Sequence, residues 1–227
     1  MKKVLLVIFF LLFSFAHRAK AEISNVSGIW PQTTVKIKLS DESRLILGSS
    51  PRVNDNFRSF DQHLFISDFI YDFNEHWSGL FGYRWLTSYP GDFTNQHWLD
   101  QGVLYRHKLK VSENRSISFV HRAMIEERFI TDLDVYSTRF RYLLSAKMPI
   151  TKSKKLSWLS FNEFFVNLNE TVRGPQQGVD RNRFFTGLDY AFNKQVSVQA
   201  GYQLEYVNLG ADKRFEHLLT TNLVFSI

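Results

Sequence analysis

Apolar and polar residues alternate along most of this chain. In 195–207, Val196, Val198, Ala200, Tyr202, Leu204 and Tyr206 share one parity, and Ser197, Gln199, Gly201, Gln203 and Glu205 share the other. In 77–89, Trp77, Phe81, Tyr83, Trp85 and Tyr89 oppose Ser78, Gly82, Arg84 and Ser88. In 135–148, Phe140, Tyr142, Leu144 and Met148 oppose Arg139, Arg141 and Lys147. Successive side chains of a strand point to opposite faces, so a period of two predicts strands with one oily and one polar face. The pattern predicts strands at 23–30, 33–40, 43–52, 60–73, 77–89, 97–111, 115–129, 135–148, 156–168, 180–192, 195–207 and 214–227.

Several of these exceed the five or six residues usual in a globular strand and suit a tilted strand that spans a bilayer. Short polar turns at 41–42, 74–76, 112–114, 151–155 and 193–194 alternate with longer connections at 53–59, 90–96, 130–134, 169–179 and 208–213. Outer-membrane barrels show this asymmetry, with short periplasmic turns and longer extracellular loops. With the C-terminus on the periplasmic side, the strand count is expected to be even. That gives about twelve, or ten or eleven if 23–30 is only a lead-in.

The first 21 residues stand apart. Lys2 and Lys3 precede an apolar run from Val4 to Ala16, and Ala19-Lys20-Ala21 has the small-residue form of a cleavage site. The run is too short for a spanning helix, so a secretory signal peptide is expected, with a single domain over 22–227. This leader holds four of the 28 basic residues and no acid, so the formal net charge of +6 falls to +2 without it. The basis for a nucleic-acid partner disappears with it. The chain has no cysteine, which excludes disulfides, thiolate metal sites and a Cys nucleophile. No cofactor is implied.

Two arrangements fit an exported all-β chain. A soluble periplasmic barrel or sandwich, binding a lipid or an acidic ligand, would turn the oily face inward. A transmembrane antiparallel up-and-down barrel would turn it outward and line its lumen with the polar face. Trp77, Tyr89, Tyr105, Tyr136, Tyr190 and Tyr206 lie near strand ends on the oily parity, where amphipathic rings meet lipid headgroups. Glycines sit beside arginines on the polar parity, at Gly82/Arg84, Gly102/Arg106 and Arg183/Gly187, as in a crowded interior. Arg or Lys facing lipid at the midplane costs about 2–4 kcal/mol, so Arg139, Arg141 and Lys147 are expected inside. The expectation is therefore an outer-membrane barrel in contact with lipid and lipopolysaccharide. The final stretch, through Leu223, Phe225 and Ile227, resembles the signal read by the barrel-assembly machinery.

The stretches FVHRAMIEERF (119–129), TRFRYLLSAKMP (138–149), SFNEFFVN (160–167), RNRFFTGLDY (181–190) and AGYQLEY (200–206) resemble the bacterial family known as domain of unknown function 2490. The resemblance covers roughly 28–227 and is most specific in 115–206. It implies a Gram-negative outer-membrane β-barrel and no established activity.

Candidate lumen residues are Arg84, Arg106, Arg122, Glu126, Arg128, Arg139, Arg141, Glu163, Arg181, Arg183 and Glu205, with Asn167 beside them. Glu163 shares its parity with Phe161 and Phe165, which leaves its face open. Buried charges must be paired and hydrogen-bonded, so one reading is a salt-bridge network that stiffens a narrow barrel. The other is a porin-like conduit or binding site for a small anionic solute, since an arginine excess attracts carboxylates and phosphates. An outer-membrane lipid hydrolase is a further alternative and would require Ser and His within hydrogen-bond reach plus an orienting group. No catalytic motif is present. His121 and Glu127 fall on the oily parity, which a register-switching bulge or a place near the interface would explain.

Overall fold

The computed structural model describes residues 23–54, 56–89, 94–113, 115–131, 135–171, 175–210 and 212–227. The expected leader at 1–21 lies outside them. Among the described residues eleven strands form: β1 (Ile23–Lys38), β2 (Ser43–Asn54), β3 (Ser59–Asp72), β4 (Trp77–Ser88), β5 (Thr94–Ser112), β6 (Arg115–Ile130), β7 (Val135–Pro149), β8 (Leu156–Asn167), β9 (Gly178–Ala191), β10 (Val196–Leu209) and β11 (Asp212–Ser226). They close into one barrel in chain order. Neighbours are antiparallel except at the seam, where β1 runs parallel to β11 from Ile23↔Lys213 to Lys36↔Ser226.

The count is eleven rather than twelve because 23–30 and 33–40 are one strand. The register of β1 with β2, Ile29↔Val53 and Thr33↔Ser49, brings Pro31 across from Pro51. Neither proline has an N–H to donate, so the ladder lapses there without the chain ceasing to be extended. Their outer neighbours still pair, Pro31 with Thr221 and Pro51 with His63. The odd count places Ile23 and Ile227 at opposite rims, and closure through a parallel pair is what makes it permissible. The strands also run into the expected long loops. Connections 55–58, 131–134 and 210–211 are no longer than the turns 39–42 and 73–76, and the length difference resides chiefly in 168–177.

Following register partners once round the barrel from Lys38, through Arg44, Ile70, Leu80, Gly102, Met124, Arg141, Phe165, Arg181, Val207 and Arg214, returns to β1 at Ser24, fourteen residues away. For eleven strands, ordinary strand spacing then gives a tilt of about 40° and a radius of about 11 Å. Side chains can fill much of such a bore.

Alternation decides what fills it. Arg139, Arg141, Glu126 and Ser137 are buried inward, whereas Tyr142, Leu144, Phe81, Tyr83 and Leu219 are exposed outward. Two apolar clusters occupy the interior beside β2–β5, one of Leu64, Leu86 and Trp98 and the other of Ile70, Leu80 and Leu104. Glycine makes room on the opposite wall. Gly187 and Gly201 face each other across β9 and β10, and a Cβ on Gly187 would lie 2.7 Å from both Gly201 Cα and the Phe185 ring. Phe185 stacks there on Phe161, with centroids 5.0 Å apart.

Candidate functional site

Four of the arginines expected inside form a closed ring of charge with four carboxylates. Arg139 donates to Glu126 (Nε to Oε2, 2.6 Å) and to Asp180 (Nη1 to Oδ2, 2.6 Å). Asp180 accepts from Arg181 Nε at 3.0 Å, and Arg181 Nη1 donates to Glu205 at 2.7 Å. Glu205 accepts from Arg183 Nε at 3.0 Å, and Arg183 Nη1 reaches Glu163 at 3.4 Å. Glu163 accepts from Arg141 Nη2 at 2.6 Å, and Arg141 closes the circuit on Glu126. Four guanidinium groups and four carboxylates therefore alternate with no net charge. In the middle lies the Phe165 ring, 1% exposed, with the guanidinium carbons of Arg139, Arg141, Arg181 and Arg183 at 4.9, 4.7, 5.9 and 5.2 Å from its centroid. A desolvated cation over a ring is worth about 2 kcal/mol.

Local backbone explains the arrangement. Arg139 and Arg141 are two apart on β7, as are Arg181 and Arg183 on β9, so each pair shares a face. Between them β8 supplies Glu163 and Phe165, which settles the open face of Glu163 as inward. Asp180 breaks the alternation. Phe165 pairs with Arg181 and Val166 with Val179, so Asp180 is the extra residue of a bulge and turns inward beside Arg181.

The remaining candidates sit around this ring or away from it. Arg122 joins through Glu163 at 2.8 Å. Arg84 pairs with Asp68 on β3 at 3.5 Å and with Asp100 on β5, its two neighbouring strands. Gly82 is what lets Asp68 lie flat, because a Cβ there would strike its carboxylate. Arg106 lies at the short-turn rim, shares Asp72 with Arg44, and is not part of the ring. Among the described residues Arg128 has neutral hydrogen-bond partners, Ser137 at 2.8 Å and Asn167 at 2.7 Å. Sequence reasoning left out Asp68, Asp100 and Asp180, and also Trp30 and Arg52. Asp100 shares the polar parity of Gly102 and Arg106 on β5, while Asp68 shares its parity with Leu64, Ile66 and Ile70, and nothing in the alternation marks Asp180.

One cavity of about 810 Å³ runs along the interior, from Lys36 and Ile46 near the short-turn rim to Gln176 and Gly210 near the loops. Nine cationic side chains line it against three carboxylates, Asp68, Glu163 and Asp180. Glu126, Glu205 and Asp100 are fully buried and stand behind the arginines. The wall pairs most of its charges, yet presents mainly the positive members inward.

On the outer face, His121 and Glu127 occupy the oily parity with no bulge to turn them, since the register of β6 is regular from Gln96↔Ile130 to Lys110↔Ser116. Glu127 lies three residues from the end of β6, near the rim. His121 is satisfied by Tyr142, whose hydroxyl lies 2.7 Å from Nδ1. The same device recurs at Tyr83/His97 and Tyr202/His217, both 2.6 Å. Ser49 and His63 make an outward pair of the same kind at 2.8 Å. It meets the distance a hydrolase would require, but no carboxylate or amide accepts from its Nδ1 among the described residues.

A family model described as a protein of unknown function, DUF2490, matches residues 27–216, and the chain belongs to that family. An uncharacterised protein of Methylorubrum extorquens is similar, 25% identical over 208 residues that cover 91% of this chain and 90% of the other.

Proposed function

We propose that this chain is an outer-membrane β-barrel whose interior admits small anions. The observation that carries the reading is the cavity of about 810 Å³ with nine cationic side chains on its wall against three acidic ones. A narrow bore lined by guanidinium groups raises the local concentration of anions and repels cations.

The membrane part is supported by the outer face. Ring pairs gather at both ends of the barrel: Tyr71/Phe73, Trp77/Tyr105 and Tyr190/Phe192 at the short-turn end, and Phe60/Tyr89, Phe129/Tyr136 and Tyr206/Phe215 at the loop end. Along β4 and the residue that follows it the belts are twelve residues apart, Trp77 to Tyr89. At the tilt derived above that is about 30 Å, the thickness of a hydrocarbon core. A leader removed at 1–21, contact with lipopolysaccharide, and delivery by the assembly machinery through the outward Leu223, Phe225 and Ile227 complete the proposal.

The protein is expected in the outer-membrane fraction, migrating differently before and after boiling. In planar bilayers it is expected to pass chloride or acetate in preference to potassium, with the preference reduced several-fold in Arg128→Gln. A silent bilayer with a correctly folded barrel defeats the conduit. Recovery from the periplasmic extract defeats the membrane reading as well.

A further inference from the structure

Most buried guanidinium groups here have a carboxylate. Arg52 does not. It is 8% exposed, its Nη1 donates to Gln62 Oε1 at 3.1 Å, and its Nε is enclosed with no acceptor. No carboxylate lies within salt-bridge distance of it among the described residues. Its flat face is occupied by Trp30, 4.1 Å from the guanidinium carbon to the indole centroid, and the indole is itself fixed by Nε1 donating to Asn54 at 2.9 Å. Stacking uses the face of a guanidinium and leaves its edge, where the N–H groups point, for an acceptor.

The Arg52 side chain lies between two spaces. Arg52 and Trp30 line the interior cavity and also a second cavity of about 440 Å³ toward the loop end. Arg214 lines the second cavity too, and its Nε is likewise enclosed without an acceptor. The two carboxylates there are already engaged, Glu216 by Arg214 at 2.7 Å and Asp61 by Ser59. A buried cation with no counter-charge and an N–H left without an acceptor is costly unless an anion completes it.

We infer that Arg52, held on Trp30 and sharing the second cavity with Arg214, is an oxyanion-binding site at the junction of the two cavities, fit for a phosphate or carboxylate on a small solute. It rests on the reading of the interior as open to anions, and it adds the place where an anion is held. A guanidinium offers carboxylate or phosphate two parallel N–H donors, which a chloride cannot use as well. Oxyanions are therefore expected to bind more tightly than chloride.

The test is calorimetric titration of the full detergent-solubilised barrel with sodium phosphate, sodium acetate, sodium chloride and a short-chain phosphatidic acid. Saturable binding of phosphate or acetate is expected, weakened roughly tenfold or more in Arg52→Gln, as loss of a charge-assisted hydrogen bond predicts, and less in Arg214→Gln. Should Arg52→Gln lose its heat-modifiable fold, Arg52→Lys retains the charge without the fork and is expected to weaken phosphate several-fold. No saturable binding to the folded wild type, or equal binding to wild type and variant, overturns the site. Binding of phosphatidic acid alone assigns it to a lipid headgroup and overturns the small-solute reading. A barrel that binds phosphate but stays silent in bilayers defeats the conduit and leaves this site standing, and one that conducts without binding does the reverse.

Discussion

The two walls of the barrel interior are filled by opposite means. Beside β2–β5 the bore is packed with Leu64, Leu86 and Trp98 and with Ile70, Leu80 and Leu104. From β6 to β10 it is packed with the eight charged groups around Phe165. Both halves exclude solvent from the wall, but only the second couples five strands through shared partners. Apolar packing degrades locally when a side chain is shortened, whereas a charged circuit transmits the loss of one member to its neighbours. The walls touch where Arg139 lies 5.4 Å from the Trp98 ring.

Glu126 is where breaking the comparison should cost most. It is fully buried and receives both Arg139 and Arg141. Glu126→Gln keeps the shape and leaves two guanidinium groups short of a counter-charge. We expect a loss of about 3–5 kcal/mol, read as the urea midpoint of the heat-modifiable band in micelles. Leu80→Ala on the other wall opens a cavity between Ile70 and Leu104 and is expected to cost about 2–4 kcal/mol. If the leucine proves the more expensive, the ring is not the principal brace. Phe165→Leu is smaller again. It preserves most of the volume but removes the π face from four arginines, for about 1–2 kcal/mol. The loss should nearly vanish when Glu126→Gln has already opened the circuit.

The alternation of the chain carries most of this division. Arg139, Arg141, Arg181 and Arg183 declare their common side by spacing alone, and so does the outward run of Tyr142 and Leu144. What alternation does not carry is anything that depends on the partner strand. Pro31 reads as an interruption until Pro51 is seen across from it, and only then does the ladder gap become compatible with an unbroken β1. Asp180 reads as outward beside Arg181 until the offset of β8 against β9 makes it a bulge. Glu163 is ambiguous by itself because a barrel interior accepts Phe161 and Phe165 as readily as a carboxylate. The expected loop lengths fail for another reason. A strand does not stop where apolar residues stop, since polar residues near a rim pair as well as apolar ones.

The smallest expected effect concerns the outer face, where the comparison is with the interior as a whole. Inside, the members of the ring satisfy one another in a circuit, and outside tyrosines and histidines meet in pairs. Tyr83, Tyr142 and Tyr202 lie near the middle of β4, β7 and β10, each with its hydroxyl against a histidine on the neighbouring strand. In the proposed membrane setting, a lone imidazole facing hydrocarbon would leave a donor and an acceptor unmet, and the Tyr142 hydroxyl would be what makes His121 tolerable there. Tyr142→Phe should therefore cost about 0.6–1 kcal/mol, the worth of a polar pair in lipid. His121→Leu in the same background should restore the loss, because no unmet group remains. A Tyr142→Phe barrel as stable as the wild type would mean that His121 finds its partner elsewhere, at the interface rather than across the strand.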